Sequence, residues 1–337
     1  MSRCEPTRVL VTGVGGPAGL GFLRLAARPD VKFFTADMNP YAAGLHLTPP
    51  ARRLIVPPGD DPAFVDEVLK FAIGADITVV VPTVDAELLP LARRAGEFSA
   101  AGITVVGSSP ETLERCLDKA ALAELLIRHG VRVPETEVIG PGTDITPGSV
   151  VKPRRGSGSR GVRVVTDVAD VAAVPRDRSY LVQEMLPGEE LSVDVFVRRD
   201  GAVVAAVPRT RDHVDSGVAV AGRSRRDPDA AAIATRVAEV TGVRGVANVQ
   251  LRRNRHGELA VLEVNPRLPG SLTLTAAAGA NLAGLLLAEA LGEPIPDHLT
   301  FREVAMVRFL TDLVIEVDDY PVVPAPVIDN TVKGPAA

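Results

Sequence analysis

The chain has 337 residues, of which 46 % are hydrophobic and 23 % charged; this composition excludes a disordered protein and favours about two or three lobes over one core. Its net charge of -5 excludes the broad basic surface of a nucleic-acid binder, so we expect no nucleic-acid partner. With 2 cysteines and no export signal before Arg8, we expect a cytoplasmic protein without a disulfide framework.

The first third of the sequence alternates β-branched runs with segments of helical apolar spacing. The β-branched runs are Arg8–Thr12, Lys32–Ala36, Arg53–Val56, Ile77–Val81 and Thr104–Val106, and the helical segments are Gly19–Ala27, Pro62–Ile73 and Ala86–Ala95. Such alternation predicts a parallel sheet that is covered by helices on both faces. We therefore predict a doubly wound α/β domain over residues 1–108.

A glycine-rich turn, Gly13–Gly16, follows the first predicted strand, and Asp37 ends the second. This spacing satisfies the dinucleotide-binding fingerprint and, taken alone, indicates a nicotinamide-dependent oxidoreductase. The alternative is a turn that needs glycines only for its backbone geometry. The rest of the chain favours the alternative, because no second half offers a hydride-acceptor site.

Helix-start signals open the next segment. Ser109 is a candidate cap before Pro110, and Asp118 is a second cap for a helix from Lys119 to His129 that Gly130 closes. We predict linker helices over residues 109–134.

From Ser149 onward the pattern changes to antiparallel strands and predicts an α+β body. The predicted elements are strands at Val150–Pro153, Val162–Val165, Tyr180–Glu184, Leu191–Arg198 and Ala202–Val207, a helix at Pro228–Thr241, and strands at Gly245–Arg253 and Glu258–Asn265. The most apolar stretch, 276–292, is interrupted by Asn281 and Glu289, so it predicts a buried helix and no membrane span.

Lys152 stands at a strand end before a loop of alternating glycines: Gly156, Ser157, Gly158, Ser159 and Gly161. Glycines let backbone N–H groups approach phosphate oxygens closely, and a lysine supplies a point charge. The segment predicts a polyphosphate-binding loop, with a mobile hairpin tip as the alternative. It is not a Walker motif, because no Gly-Lys-Ser/Thr opens a helix after it.

The segment Gln183–Leu186, which includes Glu184 and Met185, connects two predicted strands, and Glu190 begins the second of them. Connector backbone can hold an adenine edge, and a carboxylate there can accept hydrogen bonds from ribose hydroxyls. An ordinary strand connection is the alternative.

Polar residues alternate along the last two predicted strands. Asn248 and Gln250 lie on one, and Glu263 and Asn265 lie on the other. Alternate strand residues face the same side, so these side chains can aim oxygen atoms at one spot. Oxygen donors with few charges suit Mg²⁺, and Arg267 could neutralise a transferred phosphoryl group. A solvated polar strand face is the alternative.

Taken in this order, the parts resemble the ATP-grasp superfamily. Within it, the chain looks most like the carbamoyl-phosphate synthetase large-chain branch and small amino-acid ligases similar to the pyrrolysine-pathway ligase, over roughly residues 8–300. The resemblance implies a two-lobed ATP-grasp fold after the N-terminal domain. Its small lobe would span residues 135–190 and its large lobe residues 191–300, before a short segment at 301–337.

The resemblance also implies residue roles. Lys119 and Lys152 would contact the α- and β-phosphates of ATP, Gln183 with the backbone of Glu184 and Leu186 would hold adenine, and Glu190 would hold the ribose. Gln250, Glu263 and Asn265 would bind Mg²⁺, or alternatively Mn²⁺, with Asn248 beside them and Arg267 on the γ-phosphate. The loop Gly13–Gly16 would face the active site without binding a dinucleotide.

The activity implied is an ATP-dependent carboxylate–amine ligase that forms an acyl phosphate and releases ADP and phosphate. We assign the chemistry to Lys152, Arg211 and Arg267. We expect Arg209, Arg211 and the turn of Gly270 and Ser271 to meet the carboxylate substrate, and Asp85 and Glu87 to hold the amine. A solvated surface is the alternative for each of them. With a single module, carbamoyl phosphate is not the expected product. A homodimer is the expected assembly. The rival functions are a nicotinamide-dependent oxidoreductase and a non-catalytic ATP-binding module.

Overall fold

A computed structural model describes residues 6–321 of the chain, apart from residues 157, 159, 173 and 216. Its N-terminal part contains strands β1 (Thr7–Thr12), β2 (Val31–Asp37), β3 (Arg53–Ile55), β4 (Val79–Val81) and β5 (Thr104–Val105), and helices α1 (Pro17–Leu25), α2 (Phe64–Gly74), α3 (Asp85–Arg93) and α4 (Ala95–Ala100). The strands form one parallel sheet in the order β3-β2-β1-β4-β5. The predicted parallel, doubly wound sheet is confirmed, and the bounds of its domain stay a prediction.

Consecutive residues of β1 face two different cores. Val9 and Val11 pack on the same side as Phe22 of α1, whereas Leu10 packs on the opposite side with Phe64 of α2. All three strand residues are fully buried. Both faces of this strand are therefore covered, which is why the run is apolar throughout instead of alternating.

The linker helices are α5 (Pro110–Leu117) and α6 (Lys119–Arg128), and both predicted caps are confirmed. The Ser109 side chain accepts from the N–H of Thr112, and the Asp118 side chain accepts from the N–H groups of Ala120 and Ala121. Beyond them, β6 (Thr136–Val138), β7 (Ser149–Pro153), β8 (Arg163–Val164) and β9 (Tyr180–Glu184) form an antiparallel sheet in the order β6-β9-β7-β8. This sheet is called the small lobe below.

The rest of the described chain is called the large lobe below. Its elements are β10 (Glu190–Val197), β11 (Val203–Thr210), β12 (His213–Asp215), β13 (Val218–Arg223), α7 (Pro228–Thr241), β14 (Gly245–Arg253), β15 (Leu259–Asn265), α8 (Leu272–Ala277), α9 (Leu282–Ala290) and β16 (Ala305–Val307). They form an antiparallel sheet in the order β11-β10-β14-β15 and a smaller sheet in the order β12-β13-β16. Short 3₁₀ turns lie at Leu45–Leu47, Pro50–Arg52, Val168–Val171 and Val317–Asp319.

Strand β10 has one apolar and one polar face. Val193 and Val195 pack in the core with α7, whereas Ser192 and Asp194 lie on the other face. Alternation with a period of two produces this division. Ser192 and Asp194 are fully buried and lie beneath the cleft described below, whereas Glu190 at the start of the strand lines it.

The single buried helix predicted at 276–292 is wrong, because the structure has two helices there. Gly279 lies between them with a φ of +112°, a conformation that suits glycine and ends α8. Asn281 caps α9, since its side chain accepts from the N–H of Gly284. The Asn that interrupts the apolar run is therefore a helix start.

An extended segment follows β16 and carries exposed apolar side chains. Phe309 is 81 % exposed, Leu310 97 % and Val314 92 %. No helix in the described part of the chain is both long and apolar enough to cross a membrane.

Candidate active site

A cleft of about 500 Å³ lies where the N-terminal domain, the small lobe and the large lobe meet. This volume falls within the usual range for ligand sites. The cleft is lined by most residues that the sequence singled out: Asp85, Lys119, Lys152, Gly156, Gly158, Gln183, Glu184, Met185, Leu186, Glu190, Arg209, Arg211, Asn248, Gln250, Glu263, Asn265, Arg267, Gly270 and Ser271.

Four of the expected site residues are placed differently or not at all. Ser157 and Ser159 lie outside the described residues. Gly161 does not line the cleft; a Cβ on it would lie 2.9 Å from Pro153 Cγ, so it closes the base of the loop. Glu87 lies behind the cleft wall, where it is 6 % exposed.

The predicted metal residues occupy facing positions on β14 and β15. Gln250 lies opposite Glu263, and Asn248 lies opposite Asn265. The Asn265 amide nitrogen donates to Glu263 Oε1 at 3.1 Å, so the two side chains are in contact, and a 180° rotation of this amide would present its oxygen at the same place. The strand pairing thus places one carboxylate and several amide groups on one patch of the cleft floor.

A β-bulge in the β14–β15 ladder brings Lys152 to this patch. The register shifts between Gln250 and Leu251, so Leu262 is the extra residue of β15. Lys152 Nζ donates to the Leu262 carbonyl oxygen at 3.5 Å. Burial lowers the pKa of Lys152 to about 8, which Glu263 opposes and Lys119 reinforces. An anion bound nearby would therefore stabilise the protonated form of this buried lysine.

Lys119 links the linker helix to the glycine loop. Its Nζ donates to the carbonyl oxygen of Gly156 at 2.7 Å and lies 3.9 Å from Glu263 Oε2. Lys119 and Lys152 therefore flank the same carboxylate from two different parts of the fold.

The donor set suits a hard cation that also binds a ligand. In the part of the chain that the structure describes, no group of three or more His, Cys, Asp and Glu side chains could hold a metal. A cation at Glu263 would rely on that carboxylate, on the amide oxygens of Gln250 and Asn265, and on ligand oxygens. Mg²⁺ bound to a polyphosphate meets this condition, because it keeps water and phosphate in its shell.

The connector after β9 presents a buried, unused donor. Gln183 is 7 % exposed, and its amide nitrogen donates to Thr136 Oγ1 at 2.7 Å. Leu186 is 4 % exposed, yet its backbone N–H donates to no group among residues 6–321 as described. An aromatic base with a hydrogen-bond acceptor at its edge fits this position.

Glu190 forms a charged cluster beside the connector. Arg211 Nε lies 2.8 Å from Glu190 Oε1, and Arg252 Nη1 lies 3.6 Å from Glu190 Oε2. Burial lowers the pKa of Arg211, and the charge of Glu190 opposes this shift. Glu190 therefore holds two arginines at the edge of the cleft.

Asp194 is a functional candidate that the sequence reasoning missed. It is fully buried, and it accepts from Arg209 Nε at 3.0 Å, from the Asn248 amide at 2.6 Å and from Thr275 Oγ1. A charged residue in the middle of the apolar run Leu191–Val197 was the available signal. Asp194 fixes Arg209 and Asn248 to the cleft floor.

Arg209 is held by Asp194 but keeps a free donor. Its side chain is 3 % exposed, and within the described residues its Nη1 donates to nothing. A buried, unpaired guanidinium nitrogen is costly unless a ligand satisfies it. Arg209 Nη1 is therefore a candidate donor to an anion in the cleft. It is distant in sequence from Lys119 and Lys152.

The N-terminal domain contributes Asp85, which binds Arg267. Arg267 Nε and Nη2 donate to the two Asp85 oxygens, each at 2.8 Å. Asp85 lines the cleft as expected, but both of its oxygens are used by this arginine. The expected contact of Glu87 with an amine is not supported, because its carboxyl accepts from Thr12 Oγ1 at 2.6 Å behind the wall.

The turn Gly13–Gly16 does not leave Asp37 free for a ribose. Asp37 is 8 % exposed, and its two oxygens accept from the N–H groups of Gly15 at 2.6 Å and Asn39 at 2.9 Å. The carboxylate serves the turn itself, so the oxidoreductase alternative is not favoured.

Two family models match the chain. One, described as "ATP-grasp in the biosynthetic pathway with Ter operon", matches residues 176–313, and one described as "PylC-like, N-terminal domain" matches residues 10–106.

Curated relatives match over part of their length. "Vancomycin B-type resistance protein VanB" of Enterococcus faecalis is 28 % identical over 229 residues, which cover 57 % of this chain and 66 % of that protein. A "Probable alpha-L-glutamate ligase" of Parasynechococcus marenigrum is 31 % identical over 216 residues, which cover 57 % of this chain and 44 % of that protein. The chain thus spans less than two thirds of the length of these relatives.

A solved structure shares the fold. N5-carboxyaminoimidazole synthetase from Staphylococcus aureus, solved with ADP, superposes with a TM-score of 0.74 at 14 % identity, over 92 % of this chain and 84 % of that one.

Proposed function

We propose that this chain, whose residues 176–313 match an ATP-grasp family model and whose residues 10–106 match a PylC-like N-terminal model, is an ATP-dependent ligase that joins a small carboxylic acid to an amine. The proposal is supported most strongly by one arrangement. Gln250 faces Glu263 across a strand pair, beside Asn265, and Lys119 and Lys152 flank Glu263. A non-catalytic ATP-binding module does not need two lysines around one candidate metal-binding carboxylate.

In this proposal ATP would lie along the cleft. The unused Leu186 N–H would meet the adenine, and Glu190 would meet the ribose beside it. The described glycines of the loop and the two lysines would hold the phosphates, and Gln250, Glu263 and Asn265 would hold Mg²⁺, with Mn²⁺ as an alternative. Bound Mg²⁺ supplies positive charge that neutralises and orients the phosphate oxygens.

The first chemical step transfers the γ-phosphoryl group to the acid. A carboxylate oxygen attacks the γ-phosphorus, the bond to the bridging oxygen of ATP breaks, and ADP leaves. Lys152 and Arg267 stabilise the charge on the phosphoryl group while it moves. The unpaired Nη1 of Arg209, with Arg211 nearby, supplies donors for the acid.

The second step makes the amide. The amine, after losing a proton, attacks the carbonyl carbon of the acyl phosphate, and inorganic phosphate leaves. Closure of the glycine loop would keep water from this reactive intermediate. The turns that carry Asp85, Gly270 and Ser271 form the wall where the amine would enter.

The test is release of inorganic phosphate in the presence of Mg²⁺, ATP and pairs of amino acids or related acids and amines. We expect ADP and phosphate to form only when both substrates are present. Lys152→Met should abolish release while the protein stays folded, because the lysine is already desolvated. The exposed Lys32→Met is the matched control and should retain activity.

Formation of AMP and pyrophosphate would contradict the proposed mechanism. Binding of ATP without phosphate release for any acid and amine pair would favour the non-catalytic alternative. The cytoplasmic location and the homodimer remain predictions.

A further inference from the structure

The carboxylate of Asp118 makes more contacts than a helix cap requires. It lies between α5 and α6 and is 3 % exposed. Its Oδ1 accepts from the N–H groups of Ala120 at 3.1 Å and Ala121 at 3.3 Å, which is ordinary N-cap geometry. In addition, it binds two arginines from the small lobe.

Those arginines stand at the root of the glycine loop. Arg154 Nε lies 2.8 and 3.0 Å from the two Asp118 oxygens, and Arg155 Nη2 lies 3.1 Å from Oδ2. The next residue is Gly156. Burial alone would raise the pKa of Asp118, but the hydrogen bond and charge of Arg154 outweigh it, and the pKa is lowered from its ordinary value. The group is therefore a buried carboxylate ion.

Asp118 also precedes Lys119, which makes two contacts with the same loop. The Lys119 backbone N–H donates to the Arg154 carbonyl oxygen at 3.1 Å, and its Nζ donates to the Gly156 carbonyl oxygen at 2.7 Å. One carboxylate thus fixes the end of β7, the start of the glycine loop and the helix that carries Lys119.

We propose that Asp118 is a positioning residue that sets the glycine loop and Lys119 at the spacing required to hold the nucleotide phosphates. This inference rests on the proposed function, because the loop and Lys119 are proposed phosphate ligands. The competing explanation is that Asp118 only caps α6. The two explanations predict different effects of removing the charge of Asp118. Asparagine caps a helix about as well as aspartate, but it cannot form an ion pair with arginine.

The experiment compares Asp118→Asn with the wild type in two measurements. The first is the Kd for ADP with Mg²⁺, which should rise about 10-fold, the usual effect of losing a charged hydrogen bond. The second is the rate at which trypsin cleaves after Arg155 or Arg160 without nucleotide, followed by mass spectrometry. Cleavage should be faster in the variant, because the loop root is released.

Asp227→Asn is the matched control. Asp227 caps α7 through the N–H of Ala230 at 3.0 Å and pairs with Arg253 at 2.6 Å and Arg225 at 3.3 Å, but it does not line the cleft. It should lower the thermal midpoint by an amount similar to that of Asp118→Asn, without changing ADP affinity or cleavage in the glycine loop.

A double variant gives a further check. If Asp118 acts through its ion pair, Arg154→Gln should reproduce the change in Kd, and combining it with Asp118→Asn should add little. An unchanged Kd and an unchanged cleavage rate in Asp118→Asn would overturn the inference and leave only the cap.

A wrong proposed function would give a different result from a wrong inference about Asp118. If the wild type itself does not bind ADP, the nucleotide site is wrong. In that case the trypsin measurement decides on its own whether Asp118 holds the loop, and equal cleavage of wild type and variant overturns the inference.

Discussion

Asp85 and Arg267 form a two-point ion pair across the cleft, although 182 residues separate them in the sequence. The paired hydrogen bonds fix the plane of the guanidinium group, and Nη1 of the same arginine donates to the Leu268 carbonyl oxygen at 3.2 Å. The N-terminal domain thereby orients a side chain of the large lobe that we propose to contact the γ-phosphate.

Asp85→Asn should lower kcat for phosphate release about 10-fold and change the KM for ATP little, because a poorly oriented arginine stabilises the transition state less than the bound ground state. Arg267→Lys should lower kcat by about 10²-fold or more. Steady-state kinetics would measure both. Asp66→Asn, which removes an exposed ion pair with Arg94, serves as the control; a normal kcat in Asp85→Asn would show that Arg267 is oriented by other groups.

Glu263→Gln should raise the Mg²⁺ concentration needed for half-maximal activity by about 10-fold or more, because it removes the charged member of the proposed donor set. A magnesium titration at saturating ATP would measure the change. Glu258→Gln alters an exposed residue of the same hairpin, which pairs with Arg132 at 3.1 Å, and should behave as wild type. Equal magnesium dependence in both variants would place the metal elsewhere.

Gly13→Ala should destabilise the protein more than Gly102→Ala. Both glycines have positive φ, +66° and +75°, so each alanine carries a left-handed backbone cost of about 1–2 kcal/mol. Only at Gly13 would the added Cβ also meet other atoms, because it would overlap Val84 Cγ2 and lie 2.8 Å from Thr83 Oγ1. Thermal midpoints would show the difference, and equal midpoints would mean that the turn adjusts freely.

Burial raises the pKa of the Glu87 carboxyl from 4.5 to about 7, against the hydrogen bond from Thr12. The folded state therefore keeps a proton that the unfolded state releases, so stability should fall as the pH rises from about 4.5 to 7, by about 3 kcal/mol in total. Above pH 7 the contribution of this group should be constant.

Glu87→Gln keeps the size and the neutral state of the protonated side chain. The thermal midpoint of this variant should therefore decrease less than that of the wild type as the pH rises through this window. Glu67→Gln, at an exposed position of α2, should retain the wild-type pH profile. Parallel profiles for Glu87→Gln and the wild type would show that folding does not raise the pKa of Glu87.

Local features of this molecule could be predicted from the sequence because their causes are local. The caps at Ser109 and Asp118 depend on residues within three positions, and the facing pairs on β14 and β15 follow from alternation along each strand. The parallel N-terminal sheet follows from apolar runs separated by helical spacing. The strands β6, β12, β13 and β16 were missed. Three of them have only three residues each and little periodicity to detect, and β13 contains two alanines and a glycine, which are depleted in strands.

Long-range pairs could not be predicted in the same way. The bulge at Leu262 depends on the register with a partner strand, and it breaks the simple alternation that the sequence suggested. Asp85 was expected to bind an amine because its partner, Arg267, could not be identified without the fold. Asp194 and Arg209 are only 15 residues apart, but which of several arginines a buried aspartate binds is decided by packing.

The floor of the cleft is made of strands, whereas the opposite wall is made of turns that follow β1, β4 and β15. A strand cannot slip by one residue without reversing all of its side chains, but a turn tolerates substitution and insertion. Substitutions and insertions in the wall can therefore change which acids or amines the cleft accepts, while the strands of the floor keep the proposed nucleotide and metal groups in place.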